Sequence, residues 1–210
     1  MKNVSPSLQQ QVSEQLNRFL PAGTSDALAG HVVRNGVLLK IKKPRKTKYG
    51  DYRPHTNGVN HIITINGDMN PFAFMVTLVH ELAHMYQYKT YGRRVKPHGE
   101  EWKSYFKQLM QPYLHSGVFP ENILVALKKY MVDPKATSCV DQELQEALRT
   151  FDEKKEDTVT VADLAPSQHF VWGQGRTFRV EGKMRKRYKC IELSTGRAFA
   201  FSALAEVKPL

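Results

Sequence analysis

The chain has 210 residues, with 31 Lys and Arg against 20 Asp and Glu, a net charge of +11. Its 41% hydrophobic content allows a genuine core, but no apolar run approaches the roughly eighteen residues of a membrane span. The polar residues 1–11 carry no apolar signal core, and the two cysteines, Cys139 and Cys190, argue against a disulfide framework, so a cytoplasmic, intracellular protein is expected.

In residues 5–20 the apolar positions Leu8, Val12, Leu16, Phe19 and Leu20 have helical spacing, with Ser5 as cap and Pro6 at the first turn. A second helix is expected from Thr24 or Ser25 to Arg34, closed by Asn35-Gly36. Three extended segments follow: residues 37–42, 47–53 and 59–66, the last entered through the tight-turn pair Asn57-Gly58. The short links imply antiparallel pairing. Asp68 or Asn70 can cap the next helix, residues 72–88, where Met75, Val79, Leu82 and Tyr86 form an apolar stripe. Further helices are expected over residues 99–110, 121–131 and 140–151. From Thr158 short β-like runs punctuated by glycine suggest a small all-β module. The boundary is placed to give two domains, residues 1–155 and 156–210.

The positive charge is concentrated. Residues 40–53 hold seven basic residues and one acidic, and residues 176–189 hold the same, while the remainder is nearly neutral. Localised charge of this kind suits a polyanion such as DNA, although two solvated hairpins would show it too. The candidate contacts are Lys40, Lys42, Lys43, Arg45, Lys46, Lys48, Arg185, Lys186 and Arg187.

Chemistry is concentrated in His80-Glu81-Leu82-Ala83-His84. Two histidines four apart lie one turn apart on a helix, so both imidazoles can reach one ion. A glutamate beside the first completes the H-E-x-x-H pattern of zinc peptidases, where it takes a proton from water activated by the metal. A catalytic zinc needs a third protein ligand. Thr90 excludes a histidine six residues after His84, Glu100 and Glu101 are available, and His98 at a loop-to-helix junction is favoured.

These blocks, His80-Glu81-Leu82-Ala83-His84 and Pro97-His98-Gly99-Glu100-Glu101-Trp102, follow Tyr49-Gly50-Asp51-Tyr52 and Ile62 to Asn66 in order. Together they resemble the SprT-like, Spartan-related family of zinc metalloproteases, over roughly residues 5–113. The resemblance implies an α+β fold, a minimal zincin domain with helices around a three-stranded antiparallel sheet. It implies one Zn²⁺ held by His80, His84 and His98, Glu81 as catalytic base, and protein substrates associated with or crosslinked to DNA. The tail departs from the family pattern: Cys190 stands alone where paired cysteines of a zinc ribbon would be. It resembles a ribbon that has lost its metal ligands, or an unrelated β-module. The alternative reading is a nucleic-acid-binding or scaffold protein whose zinc is structural; the intact Glu81 favours the peptidase.

Overall fold

The computed structural model describes residues 6–45, 48–54, 61–134, 141–152, 158–185 and 187–210. Helix α1 spans Leu8–Leu16 and α2 spans Ser25–Arg34. Ser7 opens α1 through a capping box: its hydroxyl accepts from the Gln10 N–H, and the Gln10 side chain accepts from the Ser7 N–H. The expected cap, Ser5, lies outside the described residues. Leu16, Leu20, Leu28, Ala29 and Val32 bury this pair of helices in the core.

Strands β1 (Val37–Lys42), β2 (Gly50–Arg53) and β3 (His61–Asn66) form one sheet in the order β1-β3-β2. Strand β2 runs antiparallel to β3, but β1 runs parallel to it, with Val37 opposite His61 and Lys42 opposite Asn66. The all-antiparallel sheet expected from the short links is thus corrected to a mixed one. The link does reverse the chain between β1 and β2, but the two strands do not pair. Strand β3, whose Ile63 and Ile65 are fully buried, lies between them. The Asn57-Gly58 turn falls outside the described residues.

Helix α3 (Pro71–Tyr91) follows β3 directly. Asn70 caps it, its Oδ1 accepting from the N–H groups of Phe72 and Ala73 at 3.1 and 3.0 Å, with Pro71 at the first position. The expected stripe residues Met75, Val79 and Leu82 are fully buried, but so are Phe74, Leu78, Ala83 and Met85. A helix apolar nearly all round runs through the core rather than along its surface. Helices α4 (Glu100–Met110), α5 (Glu121–Val132) and α6 (Gln142–Arg149) add Trp102, Phe106, Ile123, Leu127, Leu144 and Leu148 to the same cluster. The Asn70 amide ties the α3 start to α6, donating to the Leu148 carbonyl at 2.9 Å.

Two compact units divide the chain between Asp152 and Glu153. In the second, β4 (Val159–Thr160), β5 (His169–Trp172), β6 (Arg176–Lys183), β7 (Arg187–Glu192), β8 (Ala198–Ser202) and β9 (Glu206–Pro209) form an antiparallel sheet. Its order is β4-β9-β5-β6-β7-β8. Phe170, Phe178, Val180, Cys190 and Val207 make its core, with Tyr188 packed against it, so Phe178 and Tyr188 act as core aromatics. Cys190 is a free, buried thiol; Cys139 lies outside the described residues. Glu192 is also buried. It pairs with Arg176, whose guanidinium sits over the Phe178 and Phe199 rings at 5.2 and 4.9 Å. The Thr195 hydroxyl donates to the same carboxylate. Among the described residues, no helix is long and apolar enough to cross a membrane.

Candidate metal centre

Helical geometry places His80 and His84 on one side of α3, and the loop between α3 and α4 returns His98 to the same spot. Their Nε2 atoms form a triangle: 3.2 Å from His80 to His84, 2.8 Å from His84 to His98 and 3.2 Å from His98 to His80. Three such atoms cannot all be hydrogen-bonded in pairs. Each neutral ring nitrogen is either donor or acceptor, so at least one pair in a triangle is of like kind. A cation at the centre satisfies all three lone pairs. Zinc–nitrogen bonds of about 2.0–2.1 Å at tetrahedral angles would set the nitrogens about 3.3 Å apart, close to the triangle found. The protonation states agree. Burial and the neighbouring rings hold His80 well below its ordinary value, burial chiefly draws His84 down to about 3, and burial lowers His98. All three are therefore neutral near pH 7, as metal ligation requires. The residues present fit a divalent metal, and these three histidines form a possible metal site.

Trp102 is the floor under the triangle. It is fully buried, with its ring 4.7, 5.5 and 4.9 Å from the rings of His80, His84 and His98, and its indole N–H donates to the His80 carbonyl at 3.3 Å. His98 takes a left-handed backbone conformation, φ 61°, unusual for a residue with a Cβ. Gln87, buried on the turn after His84, donates to the Lys96 carbonyl at 2.9 Å and so ties α3 to the loop that carries His98. Of the other acidic candidates, Glu100 turns to Lys103 in solvent, and neither it nor Glu101 belongs to the histidine cluster.

Glu81 is 6% exposed and reaches the same cleft from the β2 side of α3. Burial pushes its carboxyl up to about 8, and the charge of Asp51 adds to the rise, against the pull of Lys48, Arg45 and the Tyr52 backbone N–H. Gly50 makes the room for it: a Cβ there would lie 2.5 Å from Glu81 Oε1 and 2.7 Å from Thr77 Cγ2. The cleft has a volume of about 690 Å³ and is lined by Gly50, Tyr52, His80, Glu81, His84 and Tyr88, among others.

The model of the SprT-like family matches residues 11–123, over half of the chain. The chain belongs to the SprT-like family. Comparison with curated proteins and with solved structures gives no match. The matched span contains the mixed sheet, α3 and the whole histidine triangle, so the first unit is a metalloprotease-like domain of SprT type. The match ends before the second unit begins.

Several residues of this SprT-like site were not singled out from sequence. Tyr52 stacks on the His84 ring, with centroids 6.5 Å apart and planes within 5°, while its hydroxyl meets His61 Nδ1 at 2.9 Å. Burial raises its phenol well above the usual range. Tyr88 also lines the metal cleft, whereas Tyr86 and Tyr105 line a separate pocket of about 470 Å³. A glycine inside a strand was the available signal for Gly50, since it often marks close approach. Gln87 lay one turn beyond His84 on the same helix.

The basic candidates are divided between the two units and differ in exposure. Lys40 and Lys42 are exposed on β1, and Lys43 is exposed just after it. Lys48 pairs with Asp51 at 2.8 Å, and Arg45 is turned into the protein. Arg185 and Arg187 are exposed in the second unit. Lys46 and Lys186 lie outside the described residues.

Proposed function

We propose that the chain is a zinc-dependent metallopeptidase that hydrolyses peptide bonds with Glu81 as general base, acting on DNA-associated or DNA-crosslinked proteins. The observation that carries this reading is the Nε2 triangle of His80, His84 and His98 beside a buried carboxylate in an open cleft. Structural zinc sites are closed by four protein ligands, whereas catalytic ones keep a position open. A three-histidine set facing a cleft supports the catalytic alternative.

Zinc held by the three rings would supply a Lewis acid that makes water nucleophilic near neutral pH, and a positive charge that favours ionised Glu81. Glu81 then accepts a proton from water at a carboxylate oxygen and delivers it to the leaving amine. Its buried setting makes it a stronger base than an exposed glutamate. Gly50 leaves room for that carboxylate on the β2 side. Trp102 packs against all three ligand rings.

The partner in the proposal is a protein substrate, brought together with DNA by the exposed lysines of β1 and the exposed arginines of the second unit. The test is cleavage of an unfolded protein by the purified chain. We expect cleavage to stop when a chelator removes the metal and to return on adding about one equivalent of zinc. Cleavage that persists in the metal-free chain would contradict the reading.

A further inference from the structure

Arg45 sits within the basic window, yet it is half-buried and its guanidinium bonds groups of the protein itself. Nε donates to Asn66 Oδ1 at 2.8 Å and Nη1 to Thr64 Oγ1 at 3.0 Å. Nη2 donates to the carbonyls of Thr64 and Tyr49 at 3.3 and 3.4 Å. Asn66 is 2% exposed and answers with its own amide, donating to the carbonyls of Arg45 and Lys48 at 3.2 and 3.1 Å. Its backbone N–H donates to the Tyr49 carbonyl at 2.9 Å. These contacts tie the end of β3 to the segment that leads into β2. A planar fork with several fixed donors is suited to reaching a side-chain amide, a hydroxyl and two carbonyls at once; a lysine is not.

What this segment positions is the wall of the metal cleft. Tyr49, held by both Arg45 and Asn66, immediately precedes Gly50, the residue whose missing Cβ makes space for the Glu81 carboxylate. Two residues further, the Tyr52 ring lies against His84, with planes within 5°, and both line the same cleft. The strand β2 is only four residues long and, among the described residues, pairs with β3 alone. So short a strand has few ladder bonds to fix its position along β3, and the contacts at its entrance add to them.

We propose that Arg45 and Asn66 form a clasp that sets Gly50 and Tyr52 against Glu81, making Arg45 a positioning residue of the site rather than a nucleic-acid contact. Its kinetic consequence rests on the peptidase reading above; its geometry does not. The test uses the full zinc-loaded chain and two variants, Arg45→Ala and Arg45→Lys, the second keeping charge while losing the fork. Amide hydrogen exchange at Tyr52 reports the clasp directly. We expect that amide to exchange about tenfold or more faster in both variants while the Leu82 and Ala83 amides of α3 keep their rates. We also expect kcat to fall by about tenfold or more with KM within about twofold, and zinc to stay at about one per chain.

Unchanged exchange at Tyr52 in both variants would overturn the clasp, as would protection lost equally along α3. An unchanged kcat in a variant whose Tyr52 amide has loosened would overturn the positioning role. If the wild type cleaves nothing while the Tyr52 amide still loosens in the variants, the clasp stands and the peptidase reading falls.

Discussion

A methyl group at position 50 would stand 2.5 Å from Glu81 Oε1, closer than any real non-bonded contact, so one of the two residues would have to move. Neither moves freely: Thr77 closes the other side at 2.7 Å, and Glu81 is buried. We expect Gly50→Ala to displace the Glu81 carboxylate and cut kcat by roughly 10- to 100-fold, since a displacement of about 1 Å can cost that much. Zinc content should stay at the wild-type level, because the atoms nearest the added methyl belong to Glu81 and Thr77; steady-state kinetics with metal analysis checks both. At this scale the sequence was most informative about local geometry. His80, Glu81 and His84 were legible because helical spacing alone puts them together. His98 needed a choice against Glu100 and Glu101, which the fold makes by folding the loop back over α3. Gly50, Tyr52 and Arg45 act across strands, and no local period points from them to Glu81.

Among the elements, α3 and the two outer strands of the first unit show where sequence patterns mislead. Of the stripe Met75, Val79, Leu82 and Tyr86, the first three are fully buried and Tyr86 is half-buried, and the pattern understates a helix whose other faces are buried as well. Short links correctly gave the reversal between β1 and β2; they could not reveal that β3 would enter between them and become the most buried of the three. In the second unit, the β6–β7 pair carries its own pH dependence. Arg176 beside Glu192, with the Thr195 hydroxyl, holds that carboxyl down to about 2 against an ordinary 4.5. A depressed folded-state value means the pair stabilises the fold above about pH 4.5, and that the contribution is lost as pH falls through about 2. We expect Glu192→Gln to lower the melting temperature near neutral pH, with the difference shrinking below about pH 4.5 and closing near pH 2. Calorimetry of both proteins across that range checks it; a constant difference would contradict the assignment.

For the whole molecule, charge was legible as two windows but not as a surface. The windows fall in separate compact units. Within the first, Arg45 belongs to an internal clasp and Lys48 to an ion pair with Asp51, leaving Lys40, Lys42 and Lys43 facing outward. Counting basic residues therefore overstates the number available to a polyanion. We expect the chain to bind duplex DNA with an affinity that falls steeply with salt, and Lys40→Ala with Lys42→Ala to reduce the log–log slope by about 2. Binding measured by fluorescence anisotropy over a salt series would show it; an unchanged slope would remove these lysines from the interface. The family match covers the unit with the metal centre and stops short of the β-module.

The central claim is that a metal held by His80, His84 and His98 and a base at Glu81 act together on a peptide bond. The most direct measurement compares cleavage of an unfolded protein by wild type and Glu81→Gln, with zinc content determined on the same samples. We expect the variant to retain about one zinc per chain and to lose activity by roughly a hundredfold or more. Activity near the wild-type level in a zinc-loaded Glu81→Gln chain would contradict the account.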